Sequence, residues 1–148
     1  MEIAGIEPKG NLILRTLAMP ADTNPNGDIF GGWIMSQMDI AGGILAKEIS
    51  CSRTVTVAVD KIVFIRPVTV GDVVCCYGDI VHIGTTSVRI SLEVWIKKAT
   101  YADCCGDNRV LVTKANFTYV AVDAEGKKKP LNKLSPCFLK YLEENKQK

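Results

Sequence analysis

One segment of the chain has the spacing of an α-helix, and almost everything after it has the composition of β-strands. From Gly32 to about Ile49, apolar residues recur at intervals of three and four, and Lys47 lies nearly opposite them on a helical wheel. The apolar positions are Ile34, Met38, Ala41, Leu45 and Ile49. This periodicity predicts one long helix with a single buried face. A lone amphipathic helix in a β-rich chain must bury that face against a sheet.

Five stretches rich in branched apolar residues predict the strands of that sheet. They are Asn11–Ala18, Arg53–Ile65, Val73–Ile83, Thr86–Lys98 and Arg109–Val122. The order of one strand, the helix and four further strands predicts an α+β fold, with the helix against one face of an antiparallel sheet of about five strands. Adjacent branched residues favour a sheet that is covered on both faces. Because one helix covers one face, we expect a partner subunit to cover the rest.

The chain length of 148 residues predicts one domain. We expect a lead-in over 1–10, the domain over 11–126 and a basic tail over 127–148, with solvated lysines and a short helix after Pro136.

The formal net charge of +2 gives no indication of nucleic acid or of an anionic membrane surface. An uncharged apolar run of 18 residues is missing, so no membrane span is expected. The N-terminus lacks the pattern of a signal peptide, which predicts a cytoplasmic protein.

The six cysteines are not placed as zinc or redox motifs. They occur as two adjacent pairs, Cys75-Cys76 and Cys104-Cys105, and as the single residues Cys51 and Cys137. No C-x-x-C spacing exists. We therefore expect reduced thiols that are buried or half-buried, and no metal site.

The segment that leads into the helix has the chemistry of a binding site. Asn24-Pro-Asn-Gly27 is typical of a turn. Gly31-Gly32 follows, and no polar side chain is placed to cap the helix start. The first N–H groups are therefore available to a ligand, and the helix dipole places partial positive charge there. Such a start can serve as an oxyanion hole built from backbone alone.

Asp39 is a carboxylate inside the helix with no cation three or four positions away. It lies at the edge of the apolar stripe, about two turns after Gly32, where it can deprotonate a water molecule or attack directly. A solvated surface position is the alternative. Asn24 can orient that water through its amide, or simply bond its own loop. Gly42-Gly43 destabilises a helix, which indicates either a close approach by a ligand or tight packing.

The stretch Leu14–Asp39, LRTLAMPADTNPNGDIFGGWIMSQMD, resembles the signature of hot-dog-fold acyl-CoA thioesterases. The bacterial YciA-type enzymes, related to the mammalian brain-type acyl-CoA hydrolase, are the most similar group. Further matching segments are Phe64–Val68, Gly71–Tyr77, Gly84–Ser87, Glu93–Lys98 and Tyr119–Asp123. The similarity covers about Leu12 to Gly126. It departs from the family in the loop Tyr101–Asn108 and in the C-terminal tail.

The resemblance implies hydrolysis of short- and medium-chain acyl-CoA to free fatty acid and CoA, without a cofactor other than the CoA of the substrate. It implies a helix wrapped by an antiparallel sheet, dimers whose sheets join, and a homohexamer built as a trimer of dimers. Asp39 matches the family's catalytic aspartate, as general base or nucleophile, and Gly32 matches its oxyanion backbone. Asn24 aligns with an asparagine that works with an aspartate from the other half of a dimer, which places the active site at the interface.

The resemblance also indicates where CoA binds. Its phosphates need cations or backbone donors. The matching positions are Gly31, Arg66, Thr85, Thr86, Ser87, Lys97 and Lys98.

Three other functions are considered. A dehydratase of the same fold uses a histidine with a carboxylate, but His82 is the only histidine and lies outside the motif. A non-catalytic acyl-CoA sensor would keep the binding surface without needing Asp39. A metal enzyme would need more clustered ligands than this chain offers.

Overall fold

The computed structural model describes residues 7–98, 108–133 and 135–146. Its strands are β1 Asn11–Leu17, β2 Arg53–Val59, β3 Val63–Phe64, β4 Val73–Ile83, β5 Ser87–Lys97 and β6 Arg109–Val122. The helices are α1 Gly31–Ser50 and α2 Pro136–Asn145, and a 3-10 turn spans Pro20–Asp22. The helix and most strands begin and end within two residues of the bounds expected from the sequence. The loop Tyr101–Asn108, where the sequence departs from the family, lies outside the described residues except for Asn108.

The strands form one curled antiparallel sheet in the order β1-β4-β5-β6-β2, with β3 also paired to β6. The single strand expected over Arg53–Ile65 is wrong, because β2 and β3 are separate. Both pair with β6, β2 opposite Phe117–Val122 and β3 opposite Thr113–Lys114. Between them the chain leaves the ladder at Asp60, whose N–H still donates to the Asn116 carbonyl at 2.9 Å. A register shift in β2 lies just before this point, between Thr56 and Ala58.

α1 lies against one face of the sheet and buries the predicted stripe. Ile34, Met38, Ala41 and Ile49 are buried, whereas Leu45 is only partly so. Gly42 and Ala46 join the buried face, and Lys47 is exposed as predicted. The helix packs on β1, β2, β4, β5 and β6, so it is held along its whole length.

Part of the opposite face of the sheet is also buried. Cys76 belongs to the main core beneath α1, and its neighbour Cys75 packs with Tyr77 and Trp95 in a second cluster. Successive residues of a strand point to opposite faces. Burial on both faces is therefore confirmed for this part of the sheet. Both thiols are free, and burial together with the neighbouring Cys75 raises the pKa of Cys76 to about 12.

The expectation that all cysteines are reduced is wrong for one pair. Cys51 and Cys137 form a disulfide across 86 positions of sequence. Cys51 follows the last turn of α1 and Cys137 lies in the first turn of α2, so packing of the two helices brings their Cα atoms to 6.5 Å. That separation is within the range for a disulfide. Sequence spacing alone does not reveal it.

The C-terminal segment packs onto the domain instead of extending into solvent. α2 is the helix expected after Pro136, and it is capped by Ser135. Phe138 is buried in the main core, while Lys127, Lys128 and Lys129 are exposed as expected. No helix within the described ranges is long and apolar enough to cross a membrane.

Candidate active site

The loop before α1 is a turn closed by Asn24. The Asn24 side-chain oxygen accepts hydrogen bonds from the backbone N–H groups of Asn26 and Asp28, at 3.0 and 3.1 Å. Gly27 supplies the positive φ of 83° that the turn requires. The Asn24 oxygen thus stabilises its own loop, which is one of the two roles considered from the sequence. Within the described residues, the Asn24 amide nitrogen donates no hydrogen bond.

α1 begins without a side-chain cap, as predicted. Phe30 occupies the N-cap position, and the first intrahelical bond runs from the Ile34 N–H to the Phe30 carbonyl at 3.2 Å. The N–H groups of Gly31, Gly32 and Trp33 precede that bond, and none has a partner among the described residues. A Cβ built on Gly32 would meet no atom within 4 Å. The helix start is therefore an open cluster of donors at the positive end of the dipole.

Asp39 is half-buried, and two hydroxyl groups hold its side chain. Thr56 Oγ1 donates to Asp39 Oδ1 at 2.6 Å, and the Tyr119 hydroxyl donates to the same oxygen at 3.0 Å. Neither an ion pair nor a hydrogen bond to Oδ2 occurs in the part of the chain that the structure describes. Asp39 is therefore not a fully solvated carboxylate. One of its oxygens is anchored and the other is available for chemistry.

Tyr119 is fixed as a hydrogen-bond donor by its surroundings. Its side chain is 2% exposed. Burial, followed by the charge of Asp39, raises the pKa of the Tyr119 phenol far above its ordinary value. The group is consequently a neutral phenol at any physiological pH, so it donates to Asp39 and does not repel it.

Some of the residues proposed for CoA binding lie together, and others do not. Arg66 Nη1 donates to the carbonyl of Leu111 on β6 at 3.1 Å. Lys97 on β5 pairs with Arg109, which lies two residues before Leu111 on β6. These groups share one end of the sheet. The turn that contains Thr85, Thr86 and Ser87 lies at the other end of β5, about 33 Å away at 3.3 Å per residue over ten steps.

Lys98 already has a partner in the protomer. Its Nζ lies 3.6 Å from Oδ2 of Asp72, a fully buried carboxylate that also accepts hydrogen bonds from Thr69.

Asn24 and Asp39 share no hydrogen bond within the described protomer. Within the described ranges, no group of three or more His, Cys, Asp or Glu side chains is arranged to hold a metal ion.

Thr56 and Tyr119 were not identified from the sequence. Tyr119 lies in a segment that matches the family, but 80 positions separate it from Asp39. The single sequence signal was the glycine pair in the helix, since Gly42 faces the Tyr119 ring. A helical glycine does not say which distant side chain it accommodates.

Comparison with known proteins defines the class to which this fold and site belong. A family model described as the thioesterase superfamily matches residues 26–102. The chain belongs to the thioesterase superfamily, and its single wrapped helix and antiparallel sheet are the hot-dog fold predicted from its motifs.

Particular relatives are similar over most of the chain. The acyl-CoA thioester hydrolase YciA of Escherichia coli strain K12 is 63% identical over 124 residues, which are 84% of this chain and 92% of that protein. A solved hexameric broad-specificity acyl-coenzyme A thioesterase is 50% identical with a TM-score of 0.85, covering 97% of this chain and 96% of that one. The hexameric thioesterase of Yersinia pestis is 57% identical with a TM-score of 0.77, covering 85% and 98%. The predicted resemblance to YciA-type enzymes is thus confirmed.

Proposed function

We propose that this protein is an acyl-CoA thioesterase that hydrolyses short- and medium-chain acyl-CoA, over a broad range, to free fatty acid and CoA. One observation carries the proposal: α1 has an uncapped, glycine-lined start and also holds Asp39 with one free carboxylate oxygen. These are the two groups that thioester hydrolysis needs, a stabiliser for an oxyanion and a base for water. The substrate class is supported by the relatives named as acyl-CoA thioester hydrolases.

In the proposed reaction, Asp39 Oδ2 takes a proton from water as the water oxygen bonds to the thioester carbonyl carbon. The C=O electron pair moves to oxygen, and the Gly32 N–H stabilises this oxyanion with help from the helix dipole. When the intermediate collapses, the C–S bond breaks and sulfur leaves with the electron pair. The leaving sulfur takes the proton from Asp39, which gives CoA and the fatty acid. Direct attack by Asp39 through an anhydride is the alternative route.

We propose that a second copy of the chain completes the site. β2 forms an edge of the sheet, and Val55, Val57 and Val59 are 37, 51 and 40% exposed on it. An apolar edge strand without lysine or proline is a template for pairing with another strand. Pairing of two β2 strands would join the sheets into a dimer. Three such dimers give the hexamer reported for the solved relatives.

The dimer offers a reason for the spacing of the motif. Gly32 and Asp39 are seven residues apart, which is about 10 Å along a helix. Covalent attack needs the carboxylate within about 3.5 Å of a carbonyl that Gly32 already holds, so one protomer does not easily supply both groups. Two α1 helices related by a two-fold axis bring the helix start of one protomer, with Asn24, towards the partner subunit's Asp39.

The CoA nucleotide is proposed to bind cationic and backbone donors at the protomer boundary. Arg66 and Lys97 lie at one end of the sheet, and the Thr85–Ser87 turn lies at the other end. Because these ends are about 33 Å apart, either the two groups of residues bind one CoA from different subunits or each group binds a different substrate molecule. Gly31 belongs with Gly32 at the helix start. No cofactor beyond the substrate's own CoA is proposed. A cytoplasmic location is part of the proposal, as expected from the lack of a signal-peptide pattern at the N-terminus.

The proposal is tested by steady-state hydrolysis of a series of acyl-CoAs from acetyl to palmitoyl. We expect turnover by the wild type, and a fall in kcat of about 10²- to 10⁴-fold in Asp39→Asn. Asp28→Asn is the matched control, because Asp28 is an exposed acid of the same stretch with no assigned chemistry. Full activity in Asp39→Asn contradicts the assignment. A wild type that binds acyl-CoA without hydrolysing any of the series is instead the sensor.

A single-turnover reaction in oxygen-18 water separates the two chemical routes. General-base catalysis places the heavy oxygen in the fatty acid and none in Asp39. The covalent route, with water attacking the Asp39 carbonyl of the anhydride, leaves heavy oxygen in the Asp39 peptide, which mass spectrometry detects.

A further inference from the structure

Two hydroxyl groups that the proposed mechanism does not use converge on one oxygen of Asp39. Thr56 Oγ1 and the Tyr119 hydroxyl both donate to Oδ1, at 2.6 and 3.0 Å. The Tyr119 oxygen also lies 3.1 Å from the Asp39 backbone carbonyl, so it contacts both the side chain and the helix. A carboxylate held by two donors on one oxygen has little freedom to rotate about its last torsion.

The sheet brings these two donors to the same point. Thr56 on β2 and Tyr119 on β6 are directly opposite each other in the antiparallel ladder. Such cross-strand pairs have Cβ atoms about 5 Å apart and point to the same face. The register shift in β2 comes immediately after Thr56, and bulges commonly re-aim a side chain at a functional site. The placement of both hydroxyls is therefore fixed by the backbone.

Gly42 is the helix position that makes room for the Tyr119 ring. A Cβ built on Gly42 would overlap the Tyr119 hydroxyl and lie 2.7 and 2.8 Å from ring atoms Cζ and Cε2. Real Cβ atoms essentially never come within 3.0 Å of another heavy atom. At Gly43 a Cβ would meet nothing within 4 Å. Of the adjacent pair Gly42 and Gly43, only Gly42 is required by a neighbour among the described residues.

We infer that Tyr119 and Thr56 are positioning residues that anchor Oδ1 of Asp39 and thereby direct Oδ2 towards the attacking water. The inference rests on the proposed function of Asp39 as general base, and it adds Gly42 as the position that admits the tyrosine. Removing either hydroxyl leaves the carboxylate in place but frees its orientation. The loss then falls on turnover and not on substrate binding, because neither hydroxyl needs to contact acyl-CoA.

The test is steady-state hydrolysis of hexanoyl-CoA by wild type, Tyr119→Phe, Thr56→Val and Thr56→Ser. We expect Tyr119→Phe and Thr56→Val each to lower kcat about 10- to 100-fold with KM within about twofold of wild type. Thr56→Ser restores the hydroxyl and should return kcat to within about threefold of wild type. A merely structural role for Thr56 would not be rescued in this way.

A second pair of variants tests whether the missing side chain at Gly42 makes room for Tyr119. Gly42→Ala should lower kcat at least as far as Tyr119→Phe, because the methyl group displaces the phenol. Gly43→Ala, its matched control on the same helix, should keep kcat within about twofold. Equal kcat in the two alanine variants would overturn the role given to Gly42 and to the Tyr119 contact.

The outcomes separate this inference from the proposed function. If the wild type is inactive, or if Asp39→Asn is fully active, the proposed function fails and the inference fails with it. If Asp39→Asn is inactive while folded Tyr119→Phe and Thr56→Val both keep wild-type kcat, only the positioning role is overturned. Should Tyr119→Phe not fold, Thr56→Val decides, because Thr56 lies exposed on an edge strand and valine preserves its shape.

Discussion

The two ends of α1 are built in opposite ways. At the start, the N–H groups of Gly31 and Gly32 are uncapped, and a Cβ built on Gly32 would meet no atom within 4 Å. At the finish, Cys51 adopts a left-handed conformation with φ of 49°, its N–H bonds the Lys47 carbonyl at 2.9 Å, and its sulfur is joined to Cys137 of α2. The start of α1 therefore has hydrogen-bond donors without partners among the described residues, whereas its end is capped and covalently linked to α2. Although α1 packs on the sheet along its length, its first N–H groups are left without partners in the part of the chain that the structure describes.

This difference predicts that the start of α1 serves catalysis and that its end serves the stability of the fold. Substitutions at the start should lower turnover and leave the free energy of unfolding unchanged or raise it by about 1 kcal/mol. Substitutions at the end should lower the free energy of unfolding and leave turnover almost unchanged. A change that affects both quantities equally at either end would break the comparison.

Among substitutions at the two ends of α1, Gly32→Ala has the largest expected effect. The added methyl group keeps the N–H but fills the space over it, so an oxyanion no longer reaches the donor. We expect kcat to fall about 10²- to 10³-fold, which corresponds to about 2.7–4 kcal/mol of transition-state stabilisation. Thermal unfolding should occur at the same or a higher temperature, since alanine favours the helix by about 1 kcal/mol over glycine.

Gly43→Ala is the control for that measurement. It makes the same chemical change in equally open surroundings, so it should give a similar gain in stability while activity is kept. A loss of activity as large as that of Gly32→Ala would show that the helix start is not special.

Cys137→Ser tests the end of α1 that the disulfide links to α2. The disulfide spans 86 positions, and loss of such a cross-link typically costs about 2–4 kcal/mol, largely by freeing the unfolded chain. We expect a loss of that size in denaturant unfolding without reductant, with kcat within twofold of wild type. Wild type in reductant should lose the same amount, whereas the variant should be insensitive to it. Identical unfolding midpoints for wild type with and without reductant would contradict this role.

Ser135→Ala is a smaller change at the same end. Ser135 Oγ accepts a hydrogen bond from the Phe138 N–H at 3.2 Å and caps α2. Loss of an N-cap costs about 1 kcal/mol. Denaturant unfolding should show that loss, with acyl-CoA turnover unaffected, and a fall in turnover would connect α2 to the site more closely than its position indicates.

The sequence predicted those features that depend on neighbours in the chain. The apolar stripe from Ile34 to Ile49 predicted α1, and the lack of a polar capping residue before it predicted an uncapped start. The bounds of β4 and β6 follow from apolar runs between turn residues. The break between β2 and β3 was missed because Asp60 and Ile62 interrupt the ladder without a glycine or proline to indicate it.

Features that depend on distant pairs were not predictable in the same way. Cys51 and Cys137 lie far apart in sequence, and nothing in their local patterns pairs them. The contact of Tyr119 with Asp39 depends on the strand register of β6 against β2, which composition does not specify. Asp39 was proposed as a site residue because no cation lies near it within the helix, and only the fold reveals its distant contacts with Thr56 and Tyr119.

The proposal that two protomers share each active site can be tested most directly with mixed oligomers. Asp39→Asn and Asn24→Ala chains, each strongly impaired alone, are co-expressed with different tags, and hybrids that carry both tags are purified. If a site takes Asn24 from one protomer and Asp39 from its partner, every hybrid dimer contains one site with both residues intact. In double-tagged hexamers whose chains pair at random, about half of the dimers are hybrids and each has one intact site of two, so we expect about a quarter of wild-type activity. Hybrids no more active than their parents would show that each site uses both residues of a single chain, and would contradict the account.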